Sequence, residues 1–132
     1  METWSEKKHV ASSLESKENQ YAMFIGRWQP LHYGHISMFE QALNKGKKLL
    51  ICVRESEINE KNPFSPEIVK ETIEDYFKHL VAENKVKVII LPDIQSVEFG
   101  RGVGYDIIEH IPPTDIANIS ATKIREEMQK NI

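Results

Sequence analysis

The sequence predicts an α/β fold: a doubly wound parallel sheet with helices on both faces. Three apolar runs carry this, at residues 21–25 (YAMFI), 48–53 (KLLICV) and 86–91 (VKVIIL). Stretches with helical spacing separate them. The runs lack the alternation of a strand with one wet face, so cover on both faces is expected, as in parallel sheets.

The elements follow in order. The first run stops at Gly26. Residues 34–43 then place Ile36, Phe39, Ala42 and Leu43 at helical spacing, with Gly46 as a stop. After the second run, Ser65 and Pro66 open another helix: the Ser65 hydroxyl can cap free amides, and Pro66 suits the first helical position. Ile68, Val69, Ile73, Tyr76, Phe77 and Leu80 supply its apolar face. Pro92 ends the third run, and a loop with Gly100, Gly102 and Gly104 follows. Residues 116–119 read as a short last strand, and Ser120 caps a final helix over 121–129. Residues 1–19 are polar, with only Trp4, Val10 and Leu14 as larger apolar side chains. That composition predicts a disordered tail before a single domain at 20–132.

The bulk composition narrows the functions. A length of 132 residues fits one domain, and a charged fraction of 28% suits a soluble globular chain. The net charge of −3, and the lack of interleaved basic and aromatic residues, argue against a nucleic-acid partner. No apolar run approaches the roughly 20 residues needed to span a bilayer, and the first residues lack a signal-peptide core. The lone Cys52 fits a reducing compartment, so a cytoplasmic location is expected.

Two constellations carry chemistry. Residues 26–35 (GRWQPLHYGH) join the first strand to the first helix, where such sheets place a phosphate-binding turn. Gly26 lets a ligand approach the backbone, Arg27 adds a permanent cation, and Pro30 stiffens the loop. His32 and His35 flank Gly34 at the expected helix start. Two ring N–H donors and the helix dipole could there stabilise a phosphate and its leaving oxygens. The same pair also suits capping, packing or a share of a metal site. Cys52 and the three other histidines offer no obvious zinc set, so no metal ligand is assigned.

The second constellation is ISATKIR, residues 119–125, at the start of the last helix. Ser120 and Thr122 offer hydroxyls, and the first-turn amides are free to bind an anion. Lys123 and Arg125 add charge, and a guanidinium can grip phosphate oxygens with two parallel bonds. An ordinary capped helix with solvated charges has the same pattern.

Taken together, these segments resemble the H-x-G-H and I-S-x-T-x-x-R signatures of the nucleotidylyltransferase superfamily, over about residues 20–130. The resemblance implies a Rossmann-like fold. It implies that His32 and His35 bind the nucleotide phosphates and stabilise the transition state. Ser120, Thr122 and Arg125 then bind the triphosphate. His32, His35 and Arg125 become the catalytic residues, and Gly26, Arg27, Trp28, Gln29, Gly34, Ser120, Thr122 and Lys123 the nucleotide-binding ones. The implied reaction is attack by an acceptor phosphate on the NTP α-phosphorus, with pyrophosphate leaving and Mg2+ accompanying the NTP.

The Gly-Arg-aromatic-Gln-Pro form resembles archaeal-type nicotinamide mononucleotide adenylyltransferases, as do Asn62-Pro63-Phe64-Ser65 and Pro92-Asp93-Ile94. ATP and nicotinamide mononucleotide are the implied substrates, with Asp93 and Arg101 as acceptor contacts. The family's Gly-Glu-Arg after Asn-Pro-Phe-Thr is missing here, since Pro66, Glu67 and Ile68 follow Ser65. The family's tryptophan after Pro-Asp-Ile also has no counterpart. CTP with a phosphorylated alcohol, or a non-catalytic nucleotide-binding module, are the competing readings. Sheet edges and helices of this size leave room for a homo-oligomer.

Overall fold

The computed structural model describes residues 3–10, 20–100 and 104–130. Three parallel strands form the centre: β2 (Tyr21–Gly26), β3 (Lys48–Arg54) and β4 (Val86–Leu91), in the order β2-β3-β4. Helix α1 (Tyr33–Asn44) connects the first two, and α2 (Pro66–Tyr76) with the short α3 (Lys78–Ala82) connects the next. The register sets Gly26 against Val53 and Arg54 against Leu91, so all three strands end on one edge.

Alternate strand residues build the core. Leu49, Ile51 and Val53 of β3 and Val86 and Val88 of β4 pack with Phe39 and Ala42 of α1 and with Val69 and Ile73 of α2. Ser65 accepts from the Ile68 amide and Pro66 takes the first turn of α2, which starts the helix where the sequence predicts. The order β2-β3-β4 has no reversal, and right-handed crossovers then put α1 and α2 on one face. The second face stays open at its amino-terminal end, where Tyr21 and Met23 are 47% and 55% exposed.

Two expectations are corrected. Residues 116–119 are not a strand; they fall in α4 (Thr114–Ala117) and the turn after it, before α5 (Ala121–Lys130). Pro113 in extended conformation and Asp115 in the first turn suit a helix start there. The strand in this region is β5 (Ile107–Ile111), rich in β-branched residues and stopped by Pro112 and Pro113. Its partner is β1 (Ser5–Val10), antiparallel, from the stretch that composition assigns to a disordered tail. Trp4 and Glu6 alternate half-buried with exposed Ser5 and Lys7, so a period of two is present in this polar segment. Residues 11–19 of the expected tail lie outside the described residues.

Candidate active site

The loop after β2 is built inward. Trp28 has φ +52, a left-handed backbone that a bulky residue adopts only under compensation. The compensation is visible. Its Nε1–H donates to the Cys52 carbonyl at 3.1 Å, and its ring packs edge-on against Phe39 and His35, with centroids 5.0 and 4.9 Å away. A Cβ at Gly26 would lie 2.8 Å from the indole, so this glycine makes room for Trp28 itself. Gln29, 3% exposed, donates to the Phe64 carbonyl at 2.7 Å and accepts from the Phe64 amide at 3.0 Å. The Asn-Pro-Phe stretch is thereby fixed to this loop. The side chains of Trp28 and Gln29 are therefore engaged in the interior, which the motif alone did not reveal. Arg27 is exposed.

His32 and His35 meet at the start of α1. His32 is the N-cap: its Nδ1 accepts from the His35 amide at 3.3 Å, and the His35 Nδ1 accepts from the His32 amide at 3.2 Å. This is a capping box made of two imidazoles, in the reciprocal geometry usually made by Ser and Glu. The rings stack with centroids 3.6 Å apart and planes 18° from parallel. A Cβ at Gly34 would lie 2.8 Å from His32 Cε1, so only glycine lets the ring fold over the backbone.

The cap fixes the protonation state. Each Nδ1 accepts an amide hydrogen, so in the neutral ring the proton sits on Nε2, directed away from the helix backbone. Burial lowers the pKa of His32, and burial with the neighbouring His32 pushes His35 down to about 3. At neutral pH the pair offers two Nε2–H donors without positive charge.

The second constellation comes to the same place. Arg125 Nη1 donates to the Gln29 carbonyl at 2.5 Å, and its Nη2 donates to Thr122 Oγ1 at 3.3 Å. Ser120 Oγ accepts from the Lys123 amide at 3.4 Å, a long cap of α5. Thr122 and Lys123 are exposed. The α4 side is close too: Ile116 Cγ2 would be 3.7 Å from a Cβ at Gly34. Two segments 96 residues apart thus join one loop through a guanidinium on a carbonyl.

Asp93 lies at the carboxyl end of the sheet, 64% exposed on its side chain, and accepts from Arg54 Nη2 at 2.9 Å. The same Nη2 donates to the Ile94 carbonyl at 2.8 Å. Arg101 lies outside the described residues. Arg54 is the residue that sequence reasoning passed over; its one signal is a charge closing an apolar strand. Among the described residues no group of three or more His, Cys, Asp or Glu could hold a metal ion. No described helix is long and apolar enough to cross a membrane.

The family model described as Cytidylyltransferase-like matches residues 23–72, from within β2 into α2. The matched segment contains the capping histidines, Trp28, Gln29 and the Asn-Pro-Phe stretch. A nicotinamide-nucleotide adenylyltransferase of Methanococcus aeolicus is 30% identical over 108 residues, covering 80% of this chain and 59% of its own. A nicotinamide/nicotinic acid mononucleotide adenylyltransferase of Acinetobacter baylyi is 39% identical over 49 residues, covering 36% of this chain and 26% of its own. The chain therefore spans about three fifths of the first relative and about a quarter of the second. Among solved structures, the bifunctional NMN adenylyltransferase/ADP ribose pyrophosphatase of Francisella tularensis, complexed with AMP and a manganese ion, is 36% identical. The match covers 57% of this chain and 23% of that one, with a TM-score of 0.49.

Proposed function

We propose that the chain transfers AMP from ATP to nicotinamide mononucleotide and releases pyrophosphate. One observation supports this reading: the Arg125 guanidinium donates to the Gln29 carbonyl, in the loop that leads into the His32–His35 cap. The names of the two relatives support the choice of nucleotide and acceptor.

In this mechanism an oxygen of the acceptor phosphate bonds to the ATP α-phosphorus as the bond from that phosphorus to the β-bridging oxygen breaks. Pyrophosphate takes the electron pair. The Nε2–H groups of His32 and His35 donate to phosphate oxygens as charge builds, and their fixed cap leaves no reorganisation to be made at that moment. Free amides at the start of α5, with Ser120, Thr122, Lys123 and Arg125, hold the β- and γ-phosphates. Arg27 lies exposed near the loop and adds charge. Mg2+ enters as Mg·ATP, held by phosphate oxygens. The acceptor sits at the sheet's carboxyl edge, with Asp93 as its contact, and Arg101 serves the same end. Much of the effect is positioning, since attack and departure lie in line.

The test is direct. Purified protein with Mg2+, pyrophosphatase and nicotinamide mononucleotide is given ATP or CTP, and products are read by mass. Dinucleotide with ATP supports the proposal. Product only with CTP and a phosphorylated alcohol gives the cytidylyl reading instead. ATP binding with no product from any acceptor defeats both enzyme readings.

A further inference from the structure

The second constellation hangs on a strand with an unusual support. Among the described residues β5 belongs to a two-stranded sheet, separate from the β2-β3-β4 sheet, and β1 is its ladder partner. Paired strands of this size are marginal alone and need packing against something larger. The strand β1 and Trp4 just before it supply much of that attachment. Trp4 Nε1 donates to Ser37 Oγ in the middle of α1 at 2.7 Å. Glu6 accepts from Lys45, the C-cap of the same helix, and the Lys45 ammonium holds its carboxyl below the usual range. Glu6 also lies 4.0 Å from His110 Nδ1 of β5. The His110 ring stacks on Phe24 of β2 at 5.7 Å and meets Trp4 edge-on at 6.4 Å. Along the ladder, His9 pairs with Glu109 at 2.9 Å and Lys8 with Asp106 at 3.7 Å.

The chain of connection is short. The strand β1 is bound to α1, whose first residues are the imidazole cap. It is also bound to β5, which leads through α4 directly into residues 120–125. We infer that β1 is a positioning element, which holds the hydroxyl–guanidinium cluster of α5 over the His32–His35 cap by tying β5 to α1. This rests on the proposed nucleotide site. Helix α5 buries no residue fully, so its own packing against the domain is weak and the strand's support is needed.

The experiment uses the full chain with Lys7→Pro, at the centre of β1, and a gentler double variant, W4F with E6Q. Proline at an interior strand position breaks the ladder. Exchange of the amides at 107–111 and 124–128 is expected to speed by about tenfold or more in Lys7→Pro, with those of β2, β3 and β4 unchanged. ATP affinity, measured by titration without acceptor, is expected to fall by roughly tenfold. The double variant, which keeps the ladder, shows the same pattern at smaller size and gives the answer if Lys7→Pro does not fold. A lowered melting temperature with unchanged exchange at 124–128 and unchanged ATP affinity overturns the inference, because a merely structural strand would give that result. Neither readout needs an acceptor. A wild-type chain that binds ATP but forms no dinucleotide defeats the transfer reading and leaves this one standing.

Discussion

The two halves of the candidate site are built in opposite ways. The loop before α1 is set into the core: Trp28 is 7% exposed and Gln29 is 3% exposed, and both histidines are locked to the helix backbone. The start of α5 lies on the surface, joined to that loop by Arg125 and to the rest of the domain through β5. The first half resembles a fixed template. The second is a clasp at the surface, fastened to that loop by the bond from Arg125 to the Gln29 carbonyl. A preorganised donor contributes most at the moment charge develops, whereas a cation at the surface contributes mainly to holding the ligand.

That contrast orders the expected effects. The largest is for His35→Ala, which removes one fixed donor and one half of the cap. Turnover is expected to fall by roughly 10²–10³-fold, as for loss of a donor to a developing oxyanion, with about 1 kcal/mol of stability lost through the cap. Steady-state rates and thermal melts on the same preparation check both; unchanged turnover would remove the imidazole from the chemistry. Next comes Arg125→Ala, expected to weaken ATP binding about tenfold, through a lost charge-assisted contact. Its melting temperature should move little, because the guanidinium is one surface link. Equal losses of affinity and stability would erase the distinction between template and clasp.

A smaller effect is expected from Trp28→Phe, read by chemical denaturation. It keeps an aromatic ring but loses the indole bond to the Cys52 carbonyl, at a cost of about 0.5–1.5 kcal/mol. Acid gives the last test. His35 is pushed down from the ordinary 6.5 to about 3, so between those values the unfolded chain binds the extra proton and the folded one does not. Stability is therefore full above pH 6.5 and declines as pH falls through that window. The decline should be shallower in His35→Gln, followed by melting temperature between pH 7 and about 5. A steeper one would contradict the neutral cap.

The parts of the fold legible in the sequence are those with local causes. The runs at 21–25, 48–53 and 86–91 coincide with β2, β3 and β4 because burial writes a continuous apolar signal. Ser65-Pro66 announced α2 because capping chemistry is confined to one turn. The missed elements have distant causes. The pairing of β1 and β5 joins residues about a hundred positions apart, and polar side chains on both strands hide it from any hydropathy pattern. Ile116 and Ile119 looked strand-like because their spacing is short, but the prolines before them set a helical start. At the site, the spacing of His32 and His35 was readable, and so was the chance that they cap a helix. Their use of each other as caps was not, nor was the inward turn of Trp28 and Gln29, since both depend on partners elsewhere in the chain.

The paired-imidazole cap also bears on how this chain could change over generations. Because the rings finish the first turn of α1, selection for folding alone would retain His32, Gly34 and His35 in a descendant that had abandoned its chemistry. Lys123 is exposed and Arg125 is a single link between α5 and the loop, so neither finishes a turn of helix. Under the proposed function those two positions would drift first in such a descendant, so their state, more than that of the histidines, would tell a silent copy from a working one.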